Sequence, residues 1–189
     1  MTDGQEAANL SFVNVTAECV IGEVGKGLEL MRPVIDKAML ASCAQALGAM
    51  EFLHHATLEY CKTREQFGVP IGSFQALQHR LVDTFAACEN TRSLLYRAVC
   101  AMQAHSEDAQ RSLLALKVMA GRAGRHVGGE AIQLHGGMGM TNELSVGFYV
   151  KRLMILNTLF GDADHHQQRF SALVNALPAA GSDAASEAA

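Results

Sequence analysis

Tryptophan is absent and aromatic residues make up only 6% of this 189-residue chain. That shortage disfavours a β-sheet, whose faces are packed with aromatic and β-branched side chains. Excess basic charge is missing too: the formal net charge is −4, which offers a polyanion little to grip and argues against nucleic acid as a partner. The five cysteines, Cys19, Cys43, Cys61, Cys88 and Cys100, show no CxxC spacing and are odd in number. They read as reduced thiols in a core, with no metal site. The chain has no run of about 18 apolar residues and no signal-peptide pattern near Met1, so it is expected in the cytoplasm, away from membranes.

What is plentiful is alanine, leucine and methionine, within a composition that is 49% hydrophobic. This is the make-up of close-packed helices, sufficient for one buried core and one domain. Residues 1–9 are polar and expected to be a disordered tail. Leu10 to Val15 alternates apolar and polar and is the one strand candidate. A lone strand cannot satisfy its own backbone, so it must join a sheet elsewhere or be the remnant of another domain.

From Leu28 to Lys62 the apolar period becomes helical, with Met31, Ile35, Met39, Ala46 and Met50 in its stripe and Pro33 near the tolerant first turn. A second helix is expected from Ser73, as N-cap, to Ala104, with Leu77, Leu81, Phe85, Cys88, Leu95 and Val99 recurring along it. A third follows the polar break His105–Asp108 and ends at Gly136. Shorter helices cover about Leu144 to Thr158 and Asp162 to Ala176, and residues 178–189 read as a solvated tail. The expected fold is all-α: an up-and-down four-helix bundle over residues 28–177, preceded by a strand remnant and linker over residues 10–27.

One stretch stands out. Thr63-Arg64-Glu65-Gln66-Phe67-Gly68 lies where the first long helix stops, Pro70 forbids its continuation, and the apolar period resumes at Phe74. An arginine and an aromatic are therefore held at a tight helix–helix corner.

This stretch, together with Phe74-Gln75-Ala76-Leu77-Gln78, Ile132-Gln133-Leu134-His135-Gly136-Gly137-Met138-Gly139 and Phe160-Gly161-Asp162, resembles the C-terminal helical domain of acyl-CoA dehydrogenases in order and spacing. Val13 to Glu18 and Gly22 to Gly27 resemble the end of that family's central β-domain and its exit. The resemblance implies FAD bound between subunits. Arg64 would meet the pyrophosphate with a permanently charged planar fork, and Phe67 would offer an apolar face to the nucleotide. Gln75 and Gln133 bring amides that both donate and accept. Gly136, Gly137 and Gly139 allow close backbone approach, and Gln66 and Gly161 join the cofactor surface by position. Taken singly, Arg64 also reads as a solvated helix end, Phe67 as corner packing and the glycines as punctuation.

Catalysis is where the chain departs from the pattern it resembles. That family removes an acyl-CoA α-proton with a carboxylate while hydride passes to the flavin. Its two base positions correspond here to Phe160 and Ala38, neither of which takes a proton. Asp162, Asp164, His165 and His166 lie close by in sequence and offer a carboxylate or imidazole that could in principle reach the site, but adjacent helical positions face about 100° apart, and the competing reading is an acidic first turn with solvated or packing histidines. The N-terminal helical domain and complete β-domain of that family have no counterpart before Leu10, so the chain alone is expected to be inactive. It reads as a fragment, or as one subunit of a homo-oligomer (dimer or tetramer) or of a mixed assembly with a full-length acyl-CoA dehydrogenase subunit. A flavin-free oligomerisation module and a flavin monooxygenase of the same fold are the alternatives.

Overall fold

The computed structural model describes residues 3–16 and 18–176; the C-terminal tail expected over 178–189 lies outside them. Helix α1 spans Gly27–Thr63, α2 Gln75–Gln103, α3 Ala109–His135, α4 Val146–Thr158 and α5 Ala163–Asn175. Two short 3-10 turns, Ile71–Ser73 and Gly136–Met140, sit at the corners. The all-α bundle is borne out. α3 is its axis and packs against each of the other four helices. Along α3, Leu113, Leu116, Ala120, Ala123, Val127, Ala131 and Leu134 recur every three or four residues and are all buried, a stripe wide enough to be wrapped from several sides. Against it lie Cys43, Leu47, Met50 and Leu53 of α1, Cys88 and Ala98 of α2, and Val150, Leu153 and Leu156 of α4. A close approach sets the α3–α4 spacing. A Cβ on Gly121 would sit 2.2 Å from Asn157 Oδ1 and 2.9 Å from Ala163 Cβ.

The corner between α1 and α2 is a β-hairpin, and it holds the only strands among the described residues. β1, Glu65–Gln66, pairs antiparallel with β2, Val69–Pro70, Glu65 opposite Pro70. The loop is Phe67-Gly68, with φ of 56° and 80°, the two-residue left-handed connection that matches strand twist. Arg64, extended at φ −74° and ψ 122°, ends α1 while its N–H still donates to the Tyr60 carbonyl.

Several expectations are corrected. Leu10 to Val15 forms no strand; Leu10, Phe12, Val13 and Val15 are between 68% and 79% exposed, and among the described residues no strand pairs with them. Residues 3–9 carry no helix or strand, yet Asp3 is anchored, its carboxylate 2.7 Å from Arg152 Nη1. Ser73 is not the N-cap of α2. Its hydroxyl donates back to the Pro70 carbonyl at 2.7 Å, and Phe74 takes the cap position. Pro33 lies past the first turn of α1, and Met31, expected inside, is 49% exposed because this end of the helix projects beyond its neighbours. Phe85 is 52% exposed on the outer face of α2. Cys43, Cys61 and Cys88 are buried, as expected, but Cys19 and Cys100 are exposed. No helix among the described residues is long and apolar enough to cross a membrane.

Candidate functional site

An up-down-up course brings the end of α1, the start of α2 and the end of α3 to one end of the bundle. The sequence-expected residues Arg64, Gln66, Phe67, Gln75, Gln133, Gly136 and Gly137 all lie there, and all are exposed. The link is built from side chains. The Tyr60 ring stacks on His135 with centroids 4.4 Å apart, and Tyr60 Oη donates to the His135 carbonyl at 3.4 Å. His135 Nδ1 donates in turn to the Ala131 carbonyl at 2.8 Å. Below them Cys61, Leu81 and Leu134 form a small apolar cluster with Leu58, Ile71 and Leu77, so the corner rests on packed ground.

Phe67 is the outlier of this end. A bulky residue in the left-handed region costs about 1–3 kcal/mol, and this one is 93% exposed, its ring set edge-on to Phe74 with centroids 6.2 Å apart. Burial therefore does not explain its shape. The Arg64 guanidinium has no hydrogen-bond or ion-pair partner among the described residues. The Gln66 amide turns back on its own strand, donating to the Glu65 carbonyl at 2.7 Å. Gly139 is a correction. It is buried, and a Cβ there would lie 2.9 Å from the Ile132 carbonyl oxygen, so it closes the end of α3 and is not available to a ligand.

Gly161 does not join this set. Lys117 Nζ donates to the carbonyls of Leu156 (2.7 Å) and Asn157 (3.2 Å), which fixes the α4–α5 turn beside Lys117. From there to His135, at about 1.5 Å per residue, α3 runs about 27 Å. At this second end Phe160 (φ 61°) and Gly161 (φ 97°) are again left-handed, and the Phe160 ring is 43% exposed. Asp162 caps α5, its Oδ1 accepting from the His165 N–H at 2.8 Å. That bond holds its carboxyl below the usual carboxylate range and ties its orientation to the helix. A cleft of about 420 Å³ opens beside the turn, between α3 and α4, lined by Gly124, Arg125, Gly128, Met154, Thr158 and Asp162 among others.

Two residues at this end escaped the sequence reading in the roles they hold. Lys117 is 2% exposed, and burial pulls its ammonium below the ordinary lysine range. It satisfies the last carbonyls of α4 and lies at the negative end of that helix dipole. The signal available was a single charge inside Leu114-Ala115-Leu116-Lys117-Val118-Met119. His166 is fully buried, and its Nε2 donates to the Phe160 carbonyl at 2.8 Å. Among the described residues, no group of His, Cys, Asp or Glu is arranged to hold a metal ion.

Comparison with known proteins gives a consistent result. A family model described as the acyl-CoA dehydrogenase C-terminal domain matches residues 25–171. The chain is 34% identical over 139 residues to the short-chain specific acyl-CoA dehydrogenase of Megasphaera elsdenii, covering 74% of this chain and 36% of that enzyme. Among solved structures, the ChsE4–ChsE5 complex from Mycobacterium tuberculosis is similar with a TM-score of 0.76 and 28% identity, over 80% of this chain and 41% of that one. PigA with FAD and proline gives a TM-score of 0.77 at 28% identity, over 82% and 40%. The chain spans little more than a third of the length of the curated relatives it matches.

Proposed function

Since the chain belongs to the acyl-CoA dehydrogenase family and matches its C-terminal helical domain, we propose that it supplies part of an FAD site shared between polypeptides, in an assembly that dehydrogenates acyl-CoA thioesters. The observation that carries this reading is the exposed, strained Phe67 beside an unpartnered Arg64. A nucleotide laid across that corner would take up the aromatic face and the charge together. The residues fit such a group: Arg64 would hold pyrophosphate, Phe67 and Gln75 would flank the nucleotide, and Gln133 with Gly136 and Gly137 would close the other wall. FAD, when bound, supplies the acceptor for the substrate's hydride.

The two ends of the bundle are too far apart for one protomer to bring Arg64 and Gly161 to the same stretch of cofactor. A neighbour running antiparallel would set the Arg64 end of one copy against the Phe160 end of the other, which is the arrangement of an inter-subunit site. Neither of the family's two base positions carries a base here. Phe160 and Ala38 cannot take a proton, and the Asp162 carboxylate is committed to its helix cap. Proton abstraction in the assembly would therefore fall to a group on a partner, such as a full-length dehydrogenase subunit; the chain alone is expected to be inactive.

Absorption spectroscopy and native mass spectrometry of the purified chain, alone and co-expressed with an intact dehydrogenase subunit, test this. A flavin band and a mixed assembly that turns over acyl-CoA with an electron acceptor are expected; turnover by the chain alone would refute the missing base. A second reading, an oligomerisation module without flavin, is favoured by the outer face of α2, where Val82, Phe85 and Tyr96 are 62%, 52% and 66% exposed. A colourless homo-oligomer would decide for it.

A further inference from the structure

The turn between α4 and α5 is held from three sides. Lys117 reaches up from α3 to the carbonyls of Leu156 and Asn157, Asp162 caps the first turn of α5, and the His166 ring comes from beneath to the carbonyl of Phe160. Gly161 lies so close over α5 that a Cβ there would meet His165 Cδ2 at 2.7 Å and His166 Nε2 at 3.0 Å. We propose that His166 is a positioning residue: as its Nε2–H tautomer it fixes the left-handed Phe160–Gly161 turn, and with it the side chain presented at position 160.

The tautomer follows from the geometry. A carbonyl oxygen only accepts, so the nitrogen facing Phe160 carries the proton and Nδ1 is left as an acceptor. That Nδ1 is buried and has no hydrogen-bond partner among the described residues. A structural histidine would be expected to satisfy both nitrogens; this one has a single hydrogen bond, and that bond goes to the strained residue of the turn. The bare nitrogen is also the one place on this ring where a proton can be added. Doing so creates a buried cation with an unsatisfied N–H, facing the ammonium of Lys117 on α3 and the charges of Arg169 and His165 on α5, with Asp162 the nearby carboxylate. Burial pushes the ring below the ordinary histidine value; the hydrogen bond to Phe160 opposes that shift and the neighbouring cations add to it. Protonation leaves the Nε2–H bond to Phe160 in place but puts an unsatisfied charge into the buried seat of the ring, which strains the docking of α5 under the turn. The inference rests on the proposed function only in taking position 160 as part of the site; the hydrogen bond and the tautomer do not require flavin.

The test is a nitrogen-15 titration of the full chain by NMR, without cofactor. The His166 ring is expected as the Nε2–H tautomer at neutral pH, and the amide signals of Gly161 and Asp162 are expected to shift with the midpoint at which that ring protonates. In His166→Gln, whose amide Nε2 donates but does not titrate, those amides should keep their neutral-pH positions and lose the shift; in His165→Gln the shift should remain. An Nδ1–H tautomer in the native chain overturns the proposal even if the variants fail to fold, as does a shift that survives His166→Gln or vanishes in His165→Gln. Because flavin binding is read separately, by absorption, its absence would sink the proposed cofactor and leave this result standing.

Discussion

Tyr60 and His135 lie ring on ring, their planes 30° apart and their centroids 4.4 Å apart, although 75 residues separate them in sequence. Tyr60 is also the residue whose carbonyl ends α1 at Arg64, and His135 is the last residue of α3 before Gly136. The stack therefore connects two motifs that would have to act on one ligand. Replacing Tyr60 with alanine should cost about 2 kcal/mol, discounted from a fully buried aromatic for its partial exposure, and should weaken flavin binding. Tyr60→Phe, which keeps the stack and drops a long hydrogen bond, should cost under about 1 kcal/mol. Urea unfolding and flavin titration measure both.

Phe67→Gly should separate stability from function. Glycine accepts the left-handed turn without strain, so stability should hold or rise by about 1 kcal/mol. Loss of the aromatic should weaken flavin binding about tenfold, equivalent to about 1.4 kcal/mol. A variant that is more stable and binds flavin as tightly as the parent would show that the exposed ring has no ligand.

Two glycine substitutions should move in opposite directions. Gly121→Ala drives a methyl group into Asn157 Oδ1 and Ala163, and overpacking of this kind costs about 1–3 kcal/mol, outweighing the better helix propensity. Gly48, in α1, has nothing within 4 Å of its would-be Cβ; Gly48→Ala should stabilise by about 0.5–1 kcal/mol. Thermal midpoints distinguish them.

Lys117→Met keeps the length of the side chain but strands the carbonyls of Leu156 and Asn157. A loss of about 1–3 kcal/mol is expected on denaturant unfolding. Hydrogen exchange should show the loosening concentrated at the α4–α5 turn.

Stability should fall as pH is lowered below the ordinary histidine value of 6.5. Burial depresses both His54 and His166 in the folded chain, so between their folded values and 6.5 the unfolded chain binds more protons and is favoured. Their contribution is complete above 6.5 and is lost as pH falls through the depressed values. Urea midpoints between pH 7.5 and 5 should trace this slope, and His166→Gln should flatten it.

The legible part of this protein was its local order. Helical period, the stop at Gly68 and Pro70, and the four motifs in register were enough for the bundle and the family. The same periodicity misplaced Met31 and Phe85, because an apolar residue at helical spacing is buried only as far as neighbouring elements cover it: α1 projects past its neighbours at Met31, and Phe85, beside His54 of α1, is left half exposed. Leu10 to Val15 shows the same limit. Alternation describes a strand's faces, but a strand exists only where another backbone pairs with it.

By itself the sequence determined which side chains are on hand: an arginine and a phenylalanine at a helix corner, and no carboxylate at position 160 or 38. Those are covalent facts that folding cannot change. Only the tertiary structure decided that Phe67 stands out in solvent, that Gly161 lies at the far end of the bundle from Gly136, and that Lys117 and His166 brace the turn that holds Gly161. Contacts between residues distant along the chain depend on how whole helices pack, and packing is settled by the sum of many side chains at once, which no single motif records.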